Sequence, residues 1–289
     1  MPTLSWIGKD KVLNHHNEVP YRILEKKYSY GDDQNGNMVI HGDNLEALKS
    51  LLPEYEGKVK CIYIDPPYNT GNEGWVYNDN VNDPRIKKWL GDVVGKEGDD
   101  LSRHDKWLCM MYPRLRLLQK LLADDGAIFI SIGDDEVSSL RFICNEIFGE
   151  TNFVDTIIWQ KIYTIKNSAK YFSGMHDYIL VFARNKEFFH RNLFPRTEEL
   201  DNTYTNPDND PRGTWTTNAV QARNYNGSGQ YIITSPLGRE FSPPAGTYWR
   251  VSKETFEELD KDNRVWWGQD GNSVPRIKRF LTEAKQGVV

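Results

Sequence analysis

The chain has 289 residues, 38% of them apolar and 27% charged, with 36 Lys and Arg against 41 Asp and Glu for a formal net charge of −5. That length supports one large domain or two ordinary ones and excludes a disulfide-stapled miniprotein, while apolar stretches such as Ala127 to Ile132 are far too short to span a bilayer. The charge is uneven, with 18 basic and 25 acidic side chains in residues 1–150 against 18 and 16 in residues 151–289, so contact with a polyanion is expected toward the C-terminal half.

Met1-Pro2-Thr3-Leu4-Ser5-Trp6 lacks the basic and apolar regions of a secretory signal, so a cytoplasmic protein without a membrane partner is expected. Cys61, Cys109 and Cys144 form no CxxC pair and are expected to be reduced and at least partly buried. The six histidines show no metal-ligand spacing, and no metal site is expected.

In chain order, Asp43-Asn44 predicts a helix start. Leu45, Leu48, Leu51 and Leu52 share one face, and Glu46 stands three residues after Asp43 as in a capping box. Val59 to Ile64 is a nearly continuous apolar run, read as a buried strand that stops at Asp65-Pro66-Pro67. Asn69 to Asp100, rich in Gly, Asn and Asp, reads as a functional lid or mobile loop. Trp107 to Leu122 has helical spacing, with Pro113 expected to start or kink the helix. After a turn at Asp124-Asp125-Gly126, Ala127 to Ile132 predicts a second buried strand, and after Gly133-Asp134-Asp135 another helix runs to about Phe148. Asp155 to Gln160 and Asp177 to Phe182 are strand candidates suited to antiparallel pairing. This alternation predicts an α/β fold with a parallel or mostly parallel sheet over residues 1–185. Turn signals at Asn206-Pro207, Asp210-Pro211, Asn226-Gly227 and Pro243-Pro244, among short aromatic segments, predict an appended β-rich region over residues 186–289.

The residues that carry chemistry are Asp65-Pro66-Pro67-Tyr68, at the carboxyl end of a strand, where open α/β sheets bind ligands. Two prolines fix φ and remove two backbone donors, which leaves nearby carbonyls able to accept hydrogen bonds beside a carboxylate. That pair suits an exocyclic amine such as adenine N6. If the Asp65 carboxylate and the Pro66 carbonyl each accept one N–H, the nitrogen lone pair is directed at an incoming electrophile. Tyr68 offers a stacking face, with Asn69 beside it for a base flipped out of the duplex.

These residues resemble the DNA adenine N6-methyltransferases of the β group, and within them the modification subunit of type III restriction-modification systems. The resemblance runs through His41-Gly42-Asp43-Asn44-Leu45, IYIDPPYNTG (62–71), PRLRLLQKLL (113–122), GAIFISIGDDE (126–136), HDYILVFARN (176–185), SPLGREFSPPAGTYWR (235–250) and VPRIKRFL (274–281). It implies part of a Rossmann-like methyltransferase sheet with a β-rich target-recognition region. It also implies methyl transfer from S-adenosyl-L-methionine to adenine in double-stranded DNA, with catalysis carried by Asp65, Pro66, Pro67 and Tyr68. Asp43 and Asp65 are implied contacts of S-adenosyl-L-methionine. A homodimer and association with a restriction (helicase-nuclease) subunit are implied as well. Cytosine N4 is the alternative target, although β-group enzymes acting there more usually carry Ser at the position of Asp65. Cytosine C5 chemistry is disfavoured, since no cysteine here follows a proline.

One departure stands out: no FxGxG-type glycine loop follows a strand, and Gly227-Ser228-Gly229 reads as a hairpin turn. A chain that ends before the cofactor loop is expected, with Val59 to Ile64 then left at a sheet edge. A non-catalytic DNA-binding or assembly fragment, or one half of a split enzyme, is the alternative reading. Asp134 and Asp135 are expected to be structural. The aromatics Trp215, Tyr225, Tyr231, Tyr248, Trp249, Trp266 and Trp267 are expected mainly in the core. Arg212, Arg223, Arg239, Arg250, Arg276, Lys278 and Arg279 are candidate phosphate contacts as a group.

Overall fold

The computed structural model describes residues 3–31, 36–70, 88, 91–93, 103–164 and 171–285. Most of the stretch from Asn69 to Asp100, expected as a lid, lies outside the described residues, as does Val289. The chain divides into two compact units, Met1–His190 and Arg191–Val289.

In the first unit the elements run α1 (Lys9–Val12), α2 (His15–Glu18), α3 (Asn44–Tyr55), β1 (Val59–Ile64), α4 (Arg103–Leu121), β2 (Leu122–Ile132), α5 (Val137–Phe148), β3 (Phe153–Gln160) and β4 (His176–Ala183). The sheet order is β1-β2-β4-β3. Among the described residues only β1 and β2 pair parallel, and both β4 pairings are antiparallel, so the sheet is mixed and not mostly parallel. The reason is local: β3 leads back into β4 without a crossover helix among the described residues, and only an antiparallel pair allows that. The antiparallel pairing of β3 and β4 is as expected.

Helix α4 is the core element. It is 19 residues long and runs through Pro113 without stopping, so the proline neither starts nor ends it. Apolar packing on nearly every side, from Trp107, Leu108, Met111, Leu115 and Leu118 among others, outweighs the roughly 3 kcal/mol a mid-helix proline costs. Ile62, Ile128, Ile130, Ile132, Leu180 and Phe182 join the same core from the sheet. Asp124 and Asp125, expected in a turn, lie within β2, where the register slips between Val59↔Leu122 and Cys61↔Ala127.

Among the described residues β1 forms one edge of the sheet, and it is not the buried strand its composition suggests. Ile62 is buried while Cys61 is exposed and Tyr63 is 62% exposed. Alternate residues of a strand point to opposite faces, and this one has a covered face and an open one. Ile157 and Trp159 of β3 are exposed on the same side of the sheet as Tyr63. Cys109 and Cys144 are buried, and all three thiols are free. No helix among the described residues is long and apolar enough to cross a membrane.

The second unit contains α6 (Glu198–Asp201), β5 (Trp215–Ala219), β6 (Gln221–Ala222), β7 (Ile233–Thr234), β8 (Glu240–Phe241), β9 (Tyr248–Trp249), α7 (Lys253–Lys261), β10 (Val265–Trp266) and β11 (Arg276–Phe280). A three-stranded antiparallel sheet β10-β11-β5 and two short ribbons, β6-β9 and β7-β8, surround a core of Val220, Ile233, Trp249, Phe256, Val265, Trp267 and Ile277. Trp215, Trp249 and Trp267 are buried as expected, whereas Tyr225 is 82% exposed and meets Tyr248 edge-on at 5.3 Å.

Candidate active site

Leu45 and Leu52 of α3 and Ile62 of β1 share one core, and only Glu56, Gly57 and Lys58 separate the helix end from the strand start. The chain therefore reverses, and the first residue of α3 lies at the same end of the unit as the last residue of β1. At that end β1 stops because Pro66 and Pro67 cannot donate to a ladder.

Asp65 is exposed, and Pro66, Pro67 and Tyr68 are half-buried. The Trp107 indole donates to the Pro67 carbonyl at 2.7 Å. Among the described residues no hydrogen bond reaches the Pro66 carbonyl. An exposed carboxylate, with the Tyr68 phenol as a hydrogen-bonding neighbour, and a carbonyl unengaged among the described residues thus belong to adjacent residues of a turn that is anchored one residue later.

The Tyr68 ring lies against Gly133, at the end of β2: a Cβ on Gly133 would stand 3.2 Å from Tyr68 Cδ2 and 3.9 Å from Asp177 Oδ1. Burial, and after it the negative charges of Asp65 and Asp177, push the Tyr68 phenol well above its ordinary range. Tyr68 is therefore a neutral ring with a proton to donate.

Asn69 is placed differently from expectation. It has no exposed surface, so its side chain is not open to a base. It adopts a left-handed φ of 58°, which asparagine tolerates, and its Nδ2 donates to Glu136 Oε1 and to the Arg103 carbonyl at 3.3 Å. Glu136 is fully buried, and its Oε1 also meets His104 Nδ1 at 2.6 Å. Asn69 Oδ1 and Glu136 Oε2 have no partner among the described residues.

Asp43 caps α3: its Oδ1 accepts from Leu45 N at 2.9 Å and Glu46 N at 3.2 Å, and the residue is exposed. The expected capping box does not close, because Glu46 instead pairs with Arg22 at 2.8 Å. Arg114 donates to Asn44 Oδ1 at 2.8 Å; burial lowers its pKa, and the nearby charge of Asp43 opposes that. Asp134 accepts from the Tyr178 hydroxyl at 2.8 Å and Asp135 pairs with Arg103 at 3.2 Å.

Two candidate phosphate contacts are taken up inside the second unit. Lys278 is 1% exposed and bridges Asp208 and Asp210, the latter at 3.1 Å. Arg212 binds Asp210 at 2.9 Å and Asp262 at 3.1 Å. Arg223 and Arg279 remain exposed.

Trp107, Gly133, His104 and Glu136 are site residues that sequence reasoning did not single out. Gly133 and Glu136 stand in the Gly126 to Glu136 stretch, but a glycine under a ring and a carboxylate under an asparagine show only once β1 and β2 are paired in register.

A family model described as DNA methylase matches residues 59–283. The StyLTI Mod subunit of a type III restriction-modification enzyme from Salmonella typhimurium is 33% identical over 299 residues, covering 98% of this chain and 45% of that protein. The EcoP15I Mod subunit from Escherichia coli is 29% identical, covering 98% of this chain and 51% of its own length. The type II methyltransferase M.EcaI from Enterobacter cloacae is 30% identical over 86% of this chain and 50% of its own. Among solved structures, the M1.HpyAVI–SAM complex overlaps with a TM-score of 0.32 at 16% identity, over 55% of this chain and 58% of that one, which adds nothing to the fold described above. The chain spans about half the length of the curated relatives it matches. With the family model extending over both units and through the Asp65 to Tyr68 segment, the chain belongs to the N6/N4 DNA methylase family.

Proposed function

We propose that the chain carries the catalytic segment of a DNA adenine-N6 methyltransferase of the type III modification-subunit kind, with residues 186–289 contacting the target DNA. One observation carries this reading: Asp65 is exposed beside a Pro66 carbonyl that is unengaged among the described residues, next to a Tyr68 ring seated on Gly133. The type III names of two relatives support a restriction subunit as partner.

The adenine amine has two N–H donors and a lone pair spread into the ring, so it is a poor nucleophile until both hydrogens are held. Asp65 and the Pro66 carbonyl accept them, and the amine nitrogen turns its lone pair out of the ring plane. Tyr68 stacks on the flipped base, offsetting the few kcal/mol of unstacking with roughly 1–3 kcal/mol of its own. Trp107 keeps the Pro67 carbonyl occupied and so keeps the turn in one shape.

The methyl donor, a sulfonium cation, fits the donor set at this end of the sheet, where Asp43 and Asp65 are both exposed carboxylates. Asp43 Oδ1 is committed to the helix cap, which leaves Oδ2 to accept from a ligand hydroxyl or amine. S-adenosyl-L-methionine, when bound, would supply the electrophilic methyl group, its C–S bond breaking to leave the neutral thioether, while the methylated amine nitrogen would lose one N–H proton to solvent. Incubating the chain with DNA and labelled S-adenosyl-L-methionine, then digesting the DNA and resolving the nucleosides, tests the reading. Label in N6-methyladenine supports it, and label confined to N4-methylcytosine or absent from DNA contradicts it.

A second reading, one part of a split methylase, is favoured by β1, which stands at the sheet edge with Tyr63 and Cys61 uncovered. Calorimetry separates the two: micromolar binding of S-adenosyl-L-methionine by the chain alone supports an autonomous enzyme, and no heat supports the split form.

A further inference from the structure

Glu136 occupies the N-cap position of α5 yet makes no cap hydrogen bond with its side chain. A carboxylate at a helix start ordinarily serves the orphan N–H groups and the positive end of the helix dipole. Here it is buried and serves two residues from other parts of the chain instead. Asn69 Nδ2 and His104 Nδ1 both meet its Oε1, while Oε2 is left without a partner among the described residues. Buried acceptors without donors weaken a fold, and the Oδ1 of Asn69 is a second one beside it. Stability of α5 is thus a poor account of why an ionisable group stands at this position.

The contacts of Oε1 give a better one. Asn69 directly follows Tyr68 and holds a left-handed turn that few side chains accept. His104 lies in the first turn of α4, one turn before Trp107, whose indole holds the Pro67 carbonyl. Gly133, three residues before Glu136, is the seat of the Tyr68 ring. The segment from Gly133 to Glu136 therefore supports the Asp65 to Asn69 turn both from beneath Tyr68 and from behind Asn69.

We propose that Glu136 is a positioning residue for methyl transfer: through Asn69 it fixes the turn that presents Asp65, Pro66 and Tyr68, and through His104 it ties that turn to α4. It touches neither substrate nor donor. The inference rests on the catalytic reading of Asp65 given above, and it places a requirement for that chemistry on a residue outside the motif. Misplacing reacting groups by about 1 Å lowers rates by up to roughly a hundredfold, which sets the scale of the effect.

Two substitutions in the full chain separate positioning from packing. Glu136→Gln keeps an accepting oxygen in the same shape, and Glu136→Met fills similar volume without one. Glu136→Met is expected to lower kcat roughly ten- to a hundredfold, with at most a several-fold change in KM for DNA. Hydrogen exchange of the Tyr68, Asn69 and Thr70 amides should quicken. Glu136→Gln should restore most of the rate and the slow exchange. Asn69→Ala should lower kcat as Glu136→Met does, with the double substitution no worse than either alone. Wild-type kcat and unchanged exchange in Glu136→Met would overturn the proposal, as would equal inactivity of the Gln and Met variants or a lowered Tm with kcat intact. Asp65→Ala run alongside keeps the two ideas apart: an active Asp65→Ala removes the catalytic reading, while the exchange data still judge whether Glu136 holds the turn.

Discussion

Trp107 and Pro67 are joined by a 2.7 Å hydrogen bond from indole to carbonyl, made by a side chain with no exposed surface. A helix in the core thereby sets the shape of an exposed turn. Trp107→Phe keeps the ring and removes the donor. It should lower stability by about 1 kcal/mol, the net worth of one hydrogen bond, and lower methyl transfer by about tenfold through the shifted Pro67 carbonyl. Urea unfolding with single-turnover kinetics checks both; a stability loss with an unchanged rate would show that the turn keeps its shape without the bond.

Gly133 is constrained by the ring above it. A methyl group there meets Tyr68 Cδ2 at 3.2 Å, so Gly133→Ala displaces the ring by a few tenths of an ångström. The expected outcome is a several-fold rise in KM for DNA with a stability change under about 1 kcal/mol, the range for a small local adjustment. Steady-state kinetics and thermal melting measure the two, and an unchanged KM argues against Tyr68 as the stacking face.

His16 gives the first unit a pH dependence. It is buried, and desolvation, then the charges of Arg116, Lys120 and Lys49, lower its pKa from 6.5 to about 4. The folded state thus holds the proton less tightly than the unfolded chain. Its contribution is complete above pH 6.5 and is lost as the pH falls toward 4, by up to roughly 3 kcal/mol. His16→Gln should flatten the loss of stability between pH 7 and pH 4.5 relative to wild type; parallel slopes would contradict the assignment.

Lys278 joins Asp208 and Asp210 inside the second unit. Lys278→Ala leaves Asp210 to Arg212 and Asp208 to the Trp215 indole, and should destabilise that unit by about 1.5–3 kcal/mol, the range for losing hydrogen bonds to a charged group. The Arg212 hydrogen bonds, with help from Lys278, hold Asp210 well below the usual carboxylate range, so its contribution is present above roughly pH 4 and shrinks as the pH falls below it. Chemical unfolding of the variant at neutral pH measures the first effect, and a change under about 1 kcal/mol, typical of an exposed pair, would contradict burial as the decisive factor.

The turn at Asp65 was legible because its chemistry lies in consecutive residues, and two prolines end a strand whatever surrounds it. The Asn44–Tyr55 helix was legible because Asp43 caps it locally. Long-range features were not. The Val59–Ile64 run reads the same whether one face or both are covered, and only its place at the sheet edge leaves Tyr63 open. Pro113 was read as a helix start or a kink, and it lies inside the continuous helix Arg103–Leu121, so it does not start it. Asn69 looked like a neighbour of the base because it follows Tyr68, and no sequence signal pairs it with Glu136 across 67 residues. Lys278 resembled a surface charge until β11 and β5 brought it to Asp208 and Asp210.

The proposed chemistry turns on the Asp65 carboxylate accepting an amine hydrogen during methyl transfer. The most direct measurement compares wild type with Asp65→Ala in single-turnover transfer of labelled methyl to DNA adenine, with DNA binding followed in parallel. The account predicts a fall in rate of at least a hundredfold, the scale for removing one aligned charge-stabilising group, with DNA affinity nearly unchanged. A rate within a few-fold of wild type would contradict it.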